Sequence, residues 1–476
     1  MAKHMDRLSS VDAAFLTQER EGSHMHIGSI LLFEGPAPRP EEVTAHVESR
    51  LHLVPRYRHK LSFPRLEMGR PLWVDDPSFN IGYHVRQTAL PAPGSVDQLR
   101  LLASRIFSQR LDRSKPLWEL WLVEGLEDGR FAVINKTHHS LVDGVSGADL
   151  TAVMFDLDRD GTAVPGPDEP WQPAPEPGGV DLAARGVTDL ASAPMGFVRR
   201  AASVLGSPGR TVSQAREAAA GVGEVAWNAV VSAPDTPLNG PMGPHRRLTW
   251  TRLPLNELKE IKRELGGTVN DVFLTVVSGA LHRWLRTRGV VTEGLELRSA
   301  VPVSIRATGA EADLGNQITI MIGRLPTYVE DPVERHRLVV DSMADLKESK
   351  QAMGAEVIAS VEDFAPPTIF AQASRLHFST RMYNLLTTNV PGPQFPLYLL
   401  GREMVELIPV AFLAPEQRLA IAMMSYNGSA ALSMMGDYDT MPDLERLVEF
   451  AQEELHALGD AAHDPTLTAA SGRGAR

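Results

Sequence analysis

The sequence predicts an α/β protein made of two halves joined by a proline-rich crossing. Three observations lead there. Apolar runs of strand length alternate with amphipathic runs of helix length on both sides of the chain's middle. At 476 residues the chain exceeds one ordinary hydrophobic core, and two domains of ordinary size account for it. Between the alternating regions lie two segments in which proline concentrates.

In chain order, residues 27–33 read as a strand, 41–53 as a helix and 97–111 as a second helix with apolar positions three to four apart. Residues 118–123 and 131–135 read as strands and 145–155 as a helix. Residues 164–179 then hold six prolines among acidic residues and glycines, a composition that buries too little to fold and predicts an extended linker. Residues 180–231 are rich in alanine and valine with scattered arginines, and predict one or two bridging helices. Residues 233–244 hold four more prolines. The second half repeats the alternation: strand 248–253, helices 254–265 and 270–286, strands 299–304 and 318–325, and helix 332–350. Strand-like runs 385–389, 419–426 and 430–438 precede a last helix, 443–458. The expected division is 1–160, a linker with bridging helices over 161–245, a second half over 246–460, and a disordered tail from 461 to 476.

Composition narrows the function. Hydrophobic residues make up 43% and charged residues 22%, a globular balance. The net charge of -12 lacks the basic excess that nucleic acid requires. With no cysteine, disulfides, thiolate metal sites and thiol acyl-enzymes are excluded. Residues 1–22 carry charges every few positions and no apolar core like that of a signal peptide. No apolar run approaches the ~20 residues of a membrane span, and the longest, 407–415, is interrupted by Pro409. The expected location is the cytoplasm, with any membrane contact peripheral.

The strongest local signal is Asn135-Lys136-Thr137-His138-His139-Ser140-Leu141-Val142-Asp143-Gly144. It follows a strand-like run and precedes a helix-like one, and strand ends are where α/β folds place reactive groups. Adjacent histidines point in different directions, so one can face chemistry while the other supports it. An imidazole, with its reference pKa of ~6.5, suits proton abstraction from an alcohol. A bare His-His pair is more often packing than chemistry, but the Asp-Gly at fixed spacing and the strand-end position reverse that balance. Adjacent histidines rarely converge on one ion, so no metal is expected. Ser140 is a poor nucleophile, because adjacent side chains do not easily reach serine–histidine geometry.

The run His138-His139-Ser140-Leu141-Val142-Asp143-Gly144 resembles the HHxxxDG signature of the CoA-dependent acyltransferase superfamily. Pro116-Leu117-Trp118, followed by Glu119 and Trp121, resembles the PLW motif of the bifunctional wax ester synthase/diacylglycerol acyltransferases, and Asn270-Asp271 resembles their ND motif. The opening run 8–16, Pro302-Val303-Ser304-Ile305-Arg306, Gly315-Asn316-Gln317 and Asn389-Val390-Pro391-Gly392-Pro393 also match, in order, over about residues 8–450. The resemblance implies two chloramphenicol-acetyltransferase-like halves, each a mixed sheet flanked by helices, with a substrate tunnel between them. It further implies long-chain acyl transfer from acyl-CoA to diacylglycerol or a fatty alcohol, His139 as general base, and His138 in support. No cofactor is implied beyond acyl-CoA as co-substrate. Asp143 would be structural and paired with an arginine, for which Arg306 is the candidate. The partners implied are acyl-CoA and the acceptor lipid. Because such products are nearly insoluble, an inner-membrane or lipid-inclusion surface is expected as well, reached through Phe197, Val198, Val204 and Leu205 beside Arg199 and Arg200. The competing reading of this segment is a helix that packs across the two halves.

Bland readings stand beside these. Trp118 and Trp121 lie three apart in a strand, so they face opposite sides and at least one is core. Pro116 fixes the start of its strand. Asn270 reads as a helix N-cap, and Pro391 and Pro393 as a rigid turn. Two competing functions remain: a condensation-type enzyme with an amine acceptor, and a non-catalytic lipid-binding protein of the same fold.

Overall fold

The computed structural model describes residues 6–20, 22–63, 70–141, 153–161, 164–167, 169–176, 178, 232–304, 318–348 and 382–463. Its main elements are two six-stranded mixed sheets with helices against them. In the first half, β1 (Asp6–Arg7), α1 (Ser10–Gln18), β2 (His26–Phe33), α2 (Pro40–Arg50), β3 (His59–Ser62) and β4 (Leu72–Asp75) come first. They are followed by α3 (Ile81–His84), β5 (Val85–Ala89), α4 (Val96–Ser108), β6 (Trp118–Glu124) and β7 (Phe131–His138). The second half opens with β8 (Arg246–Pro254), α5 (Leu255–Leu265), α6 (Val269–Thr287), β9 (Leu297–Ser304), β10 (Ile318–Leu325) and α7 (Pro332–Glu348). It closes with β11 (Leu385–Pro391), β12 (Tyr398–Leu399), β13 (Arg402–Val410), β14 (Leu419–Tyr426), β15 (Ser429–Asp437) and α8 (Leu444–Ala462).

The first sheet runs β12-β13-β2-β7-β6-β5 and the second β10-β9-β11-β14-β15-β8; β1, β4 and β3 form a small third sheet. Two strands from late in the chain therefore complete the first sheet. β13 pairs antiparallel with β2, from Val410 opposite Gly28 to Met404 opposite Phe33. Sequence position alone assigns 398–410 to the second half, but sheet membership assigns it to the first. The part of this stretch read as a short apolar run, 407–410, is a strand that also packs toward the other sheet: Pro409 accepts a hydrogen bond from the Ser433 hydroxyl on β15.

Side-chain alternation explains how the second sheet serves two cores. On β14, Leu419, Ile421 and Met423 join α5, α6 and α8 in one cluster. The alternating Ala420 and Ala422 face the core of the first half. β15 does the same, with Leu432 and Met434 on the helix side and Ala431 and Met435 on the other. Large residues fill the helix layer, and the alanines among the residues on the other face let the halves approach. α6 is buried almost throughout, Val272 to Leu285, and each such aliphatic or aromatic side chain contributes about 1.5–3 kcal/mol.

In the first half β7 is buried at every position, as befits a central strand covered on both faces. α4 starts with a Ser95–Gln98 capping box and lays Leu99, Ala103, Ile106 and Phe107 inward. Its other end is capped from β7: the buried Lys136 ammonium donates to the carbonyls of Ile106, at 2.9 Å, and Gln109. Gly28 on β2 fits only without a side chain, since a Cβ there would meet the Asn135 carbonyl at 1.9 Å.

The proline-rich stretch has no helix or strand among its described residues, but it is tied down. Trp171 meets Phe79 edge-on at 6.1 Å and lies under the Arg58 guanidinium at 4.9 Å. The Ala174 amide donates to Asp75 at 2.9 Å. The bridging region 180–231, including Phe197, Arg199 and Arg200, lies outside the described residues, as does the tail from 464. Among the described residues no helix is long and apolar enough to cross a membrane.

Candidate active site

The two histidines sit where β7 ends, and the sheet holds each from a different side. The His138 amide donates to the Leu117 carbonyl at 3.0 Å, and the His139 amide donates to the Met25 carbonyl at 3.0 Å. Successive amides along a strand point to opposite neighbours, so the run is pinned between the approach to β6 and the approach to β2. The Pro-Leu-Trp segment thus meets the site through backbone. Pro116 turns the chain into β6 by accepting from the Trp118 amide at 3.0 Å. Trp118 is fully buried, its indole donating to the Tyr57 carbonyl at 2.8 Å, while Trp121 is half-buried. Met25 adopts a φ of 51°, a left-handed conformation rare outside glycine, and is held there at full burial.

The side chains then divide. His138 is buried beneath the sheet end, and its Nδ1 accepts from the Ser140 amide at 3.1 Å with the Ser140 hydroxyl at 2.7 Å. Burial above all, and then the charges of Arg113, His139 and Arg110, push its pKa down to about 3. It stays neutral at any working pH. His139 opens a 3-10 turn (His139–Leu141) and is half-buried. Its ring stacks on Phe15 of α1, 3.9 Å between centroids, and meets Phe412 edge-on at 5.7 Å. Phe412 belongs to the stretch after β13, so a residue from late in the chain closes the wall around His139. The Ser23 hydroxyl adds a further tie, donating to the Leu413 carbonyl at 2.7 Å.

Behind His138 lies a buried charge cluster. The Glu19 carboxylate, 1% exposed, takes hydrogen bonds from Arg113 Nε at 2.7 Å and Arg110 Nε at 3.3 Å. It faces His26 Nε2 at 3.8 Å and His138 Nε2 at 3.9 Å. His26, directly opposite His138 in the β2–β7 register, is held well below the ordinary histidine range by burial and then by Lys136. Among the described residues no three histidine or carboxylate side chains gather as a metal site.

Two readings of the sequence need correction. Ser140 does reach a histidine, but it is His138, two residues back, rather than its neighbour. What disqualifies it as a nucleophile is complete burial. Asn270 is not the N-cap of its helix. Thr268 takes that place, accepting from the Asp271 amide at 3.3 Å, while the Asp271 carboxylate takes the Thr268 amide at 2.8 Å. The β-branched hydroxyl one residue before the helix competes better, because its backbone is already extended. Asn270 is half-buried inside the first turn. Asp143, Gly144, Arg306, Asn316 and Gln317 lie outside the described residues. Sequence reasoning missed Phe15, Met25, Glu19, Arg110, Arg113 and Phe412. Phe15 was available, since it sits in the opening motif, but nothing local marks Phe412.

This architecture is that of the two-sheet acyltransferase and condensation folds. The first condensation domain of the calcium-dependent antibiotic synthetase superposes with a TM-score of 0.61 over 98% of both chains, at 17% identity. A wax ester synthase/diacylglycerol acyltransferase from Marinobacter aquaeolei VT8 superposes more closely, with a TM-score of 0.67 and 25% identity, covering 96% of this chain and 100% of that one. Residues 8–273 match the wax ester synthase/diacylglycerol acyltransferase catalytic domain, and residues 314–459 match the C-terminal domain of the same family. A probable diacylglycerol O-acyltransferase of Mycobacterium tuberculosis is 31% identical over 95% of this chain and 96% of its own length. A second, provisionally named one from that species is 34% identical over 97% and 91%. The chain belongs to the wax ester synthase/diacylglycerol acyltransferase family, and is an acyltransferase.

Proposed function

We propose that this enzyme moves a long-chain acyl group from acyl-CoA to diacylglycerol or a fatty alcohol, with His139 as general base and without a covalent acyl-enzyme. The observation that carries the reading is the division of labour between the histidines. His138 is sealed and neutral, whereas His139 is only half-buried, between Phe15 of α1 and Phe412 of the stretch after β13.

In this reading the acceptor hydroxyl approaches His139, which takes its proton as the oxygen attacks the thioester carbonyl. The tetrahedral intermediate collapses by expelling the CoA thiolate, and the imidazolium returns the proton to that sulfur. Proton and acyl group are thus accounted for without an enzyme nucleophile, consistent with the missing cysteine and the buried Ser140. The apolar walls given by Phe15 and Phe412 suit a tunnel for acyl chains between the halves. Asp143 takes a structural role in this reading, with Arg306 as its partner; parallel losses of yield and activity in Asp143→Ala and Arg306→Ala test the pairing.

The deciding experiment incubates purified protein with a long-chain acyl-CoA and separate acceptors: fatty alcohols, diacylglycerol, short alcohols and amines. Esters formed by the wild type and lost in His139→Ala support the reading. Amides as the main product, or full turnover by His139→Ala, overturn it. Contact with a membrane or lipid inclusion is part of the proposal, because the products are insoluble. Sedimentation with anionic liposomes tests it, comparing wild type with Phe197→Ser in an Arg199→Glu, Arg200→Glu background.

A further inference from the structure

The cluster behind His138 does no chemistry in the acyl-transfer steps, yet it holds a carboxylate and two histidines in the interior, with two partly exposed arginines reaching in to the carboxylate. Such a cluster is costly unless it fixes something. What it touches is the turn that carries His139.

Hydrogen-bond donors decide the state of the buried ring. The Ser140 amide can only donate, and it donates to Nδ1 of His138 at 3.1 Å. Nδ1 must therefore present its lone pair, which leaves the proton of the neutral ring on Nε2. Nε2 is buried and has no hydrogen-bond partner among the described residues; the Glu19 carboxylate stands 3.9 Å away. A negative oxygen at that distance favours an N–H facing it and disfavours a lone pair. In the opposite tautomer Nδ1 could donate to the Ser140 hydroxyl at 2.7 Å, but its N–H would face the Ser140 amide and the Nε2 lone pair would face a carboxylate. Both arrangements are repulsive. Glu19 cannot drift away, because Arg110 and Arg113, just beyond the end of α4, grip it, and Lys136 fixes that end of the helix from β7.

We propose that Glu19 is a positioning residue for His139, acting through His138: its carboxylate keeps the His138 proton on Nε2, so that Nδ1 ties down the Ser140 amide in the turn presenting His139. The proposal rests on the reading of His139 as the base. The signal in the sequence is Glu19 four residues after Phe15, which places the ring that stacks on His139 and the charge that orders His138 on one short segment.

The test reads the tautomer directly. In protein labelled with 15N-histidine, long-range proton–nitrogen correlation shows which ring nitrogen carries the proton, with His138 assigned by its loss in His138→Gln. Wild type is expected to show His138 neutral and protonated on Nε2. In Glu19→Gln the signal should shift toward mixed tautomers. kcat should fall roughly 10–100-fold, the scale of leaving a buried polar group unsatisfied, with KM for acyl-CoA held. Glu19→Asp, which keeps the charge, should restore the tautomer and part of kcat. A proton on Nδ1 in the wild type overturns the proposal without any variant, so a Glu19→Gln protein that fails to fold does not protect it. Unchanged kcat in Glu19→Gln, or a fall in kcat with the tautomer intact, also overturns it. An Nε2 proton that depends on Glu19 supports the pairing even if His139→Ala keeps turnover, a result that would remove only the assignment of the base.

Discussion

The imidazole of His139 lies nearly flat on the phenyl ring of Phe15, 3.9 Å between centroids and 21° between planes. Stacking on one side and the edge-on Phe412 on another fix the plane in which a proton can be accepted. Aromatic pairs of this kind contribute about 0.5–1.5 kcal/mol beyond their burial. Phe15→Leu keeps the bulk and loses the plane. We expect kcat to fall roughly two- to tenfold with KM nearly unchanged, measured by steady-state ester formation.

His139→Ala should lower ester formation by about 10²–10⁴-fold and largely keep the fold, since His139 is less buried than His138. His138→Ala should behave differently. Its ring is 1% exposed and holds the Ser140 amide, so the melting temperature should drop together with activity. Circular-dichroism melts beside turnover assays separate the two patterns; a stable, inactive His138→Ala would reverse the roles of the two histidines.

Lys136 provides a pH test. Its ammonium titrates at about 8 in the fold against 10.5 when unfolded, because burial penalises the charge. Between those values the unfolded chain binds more protons than the native one, so this residue makes stability rise with pH, by at most about 3 kcal/mol. Denaturant melts from pH 7.5 to 10.5 should show that rise in the wild type relative to Lys136→Met. Equal slopes in the two proteins would refute it.

Arg50 and Asp156 form a buried pair at 2.8 Å, with His46 bonded to both Arg50 and the Met154 carbonyl. Removing one partner takes the neutralising charge away from a buried group. Asp156→Ala should cost about 3–5 kcal/mol in denaturant unfolding, and Arg50→Met combined with Asp156→Leu should cost less than either change alone. Additive losses would show that the two charges do not depend on each other.

Thr268 and Asp271 cap α6 reciprocally, so their effects should not add. Each single change to alanine should cost about 0.5–2 kcal/mol, and the double change clearly less than the sum. Asn270→Ala should leave unfolding nearly untouched, because the cap does not use it. A stability loss equal to that of Asp271→Ala would return the capping role to Asn270.

Periodicity made most of the fold legible. The strands at 318–325 and 419–426 have the bounds read from their apolar runs, and α4, α6 and α8 fall within a few residues of theirs. What failed has physical reasons. β13 was missed because Arg402-Glu403-Met404-Val405-Glu406 mixes charge with apolar residues, and Pro409 argues against a strand. Nothing in a local pattern reveals that its partner, β2, lies almost four hundred residues earlier. Within the site, the His138–His139 pair was visible because motif and strand end coincide. Phe412 and Glu19 were not, since each gains its meaning from a partner remote in sequence. The Asn270 cap was misread by two residues, within the ordinary uncertainty of a helix boundary.

The pairing of β13 with β2 also constrains how the protein is made. When His26–Phe33 leaves the ribosome, the strand that will cover its open edge has not been synthesised. At about 5–20 residues per second, Arg402–Val410 follows only after some tens of seconds. Throughout that interval the nascent chain carries an uncovered strand edge beside Ile30, Leu31, Leu32 and Phe33, the kind of template that recruits other chains. Yield in a heterologous host should therefore depend on chaperone supply and translation speed, and a fragment ending near residue 245 should aggregate rather than fold as half an enzyme.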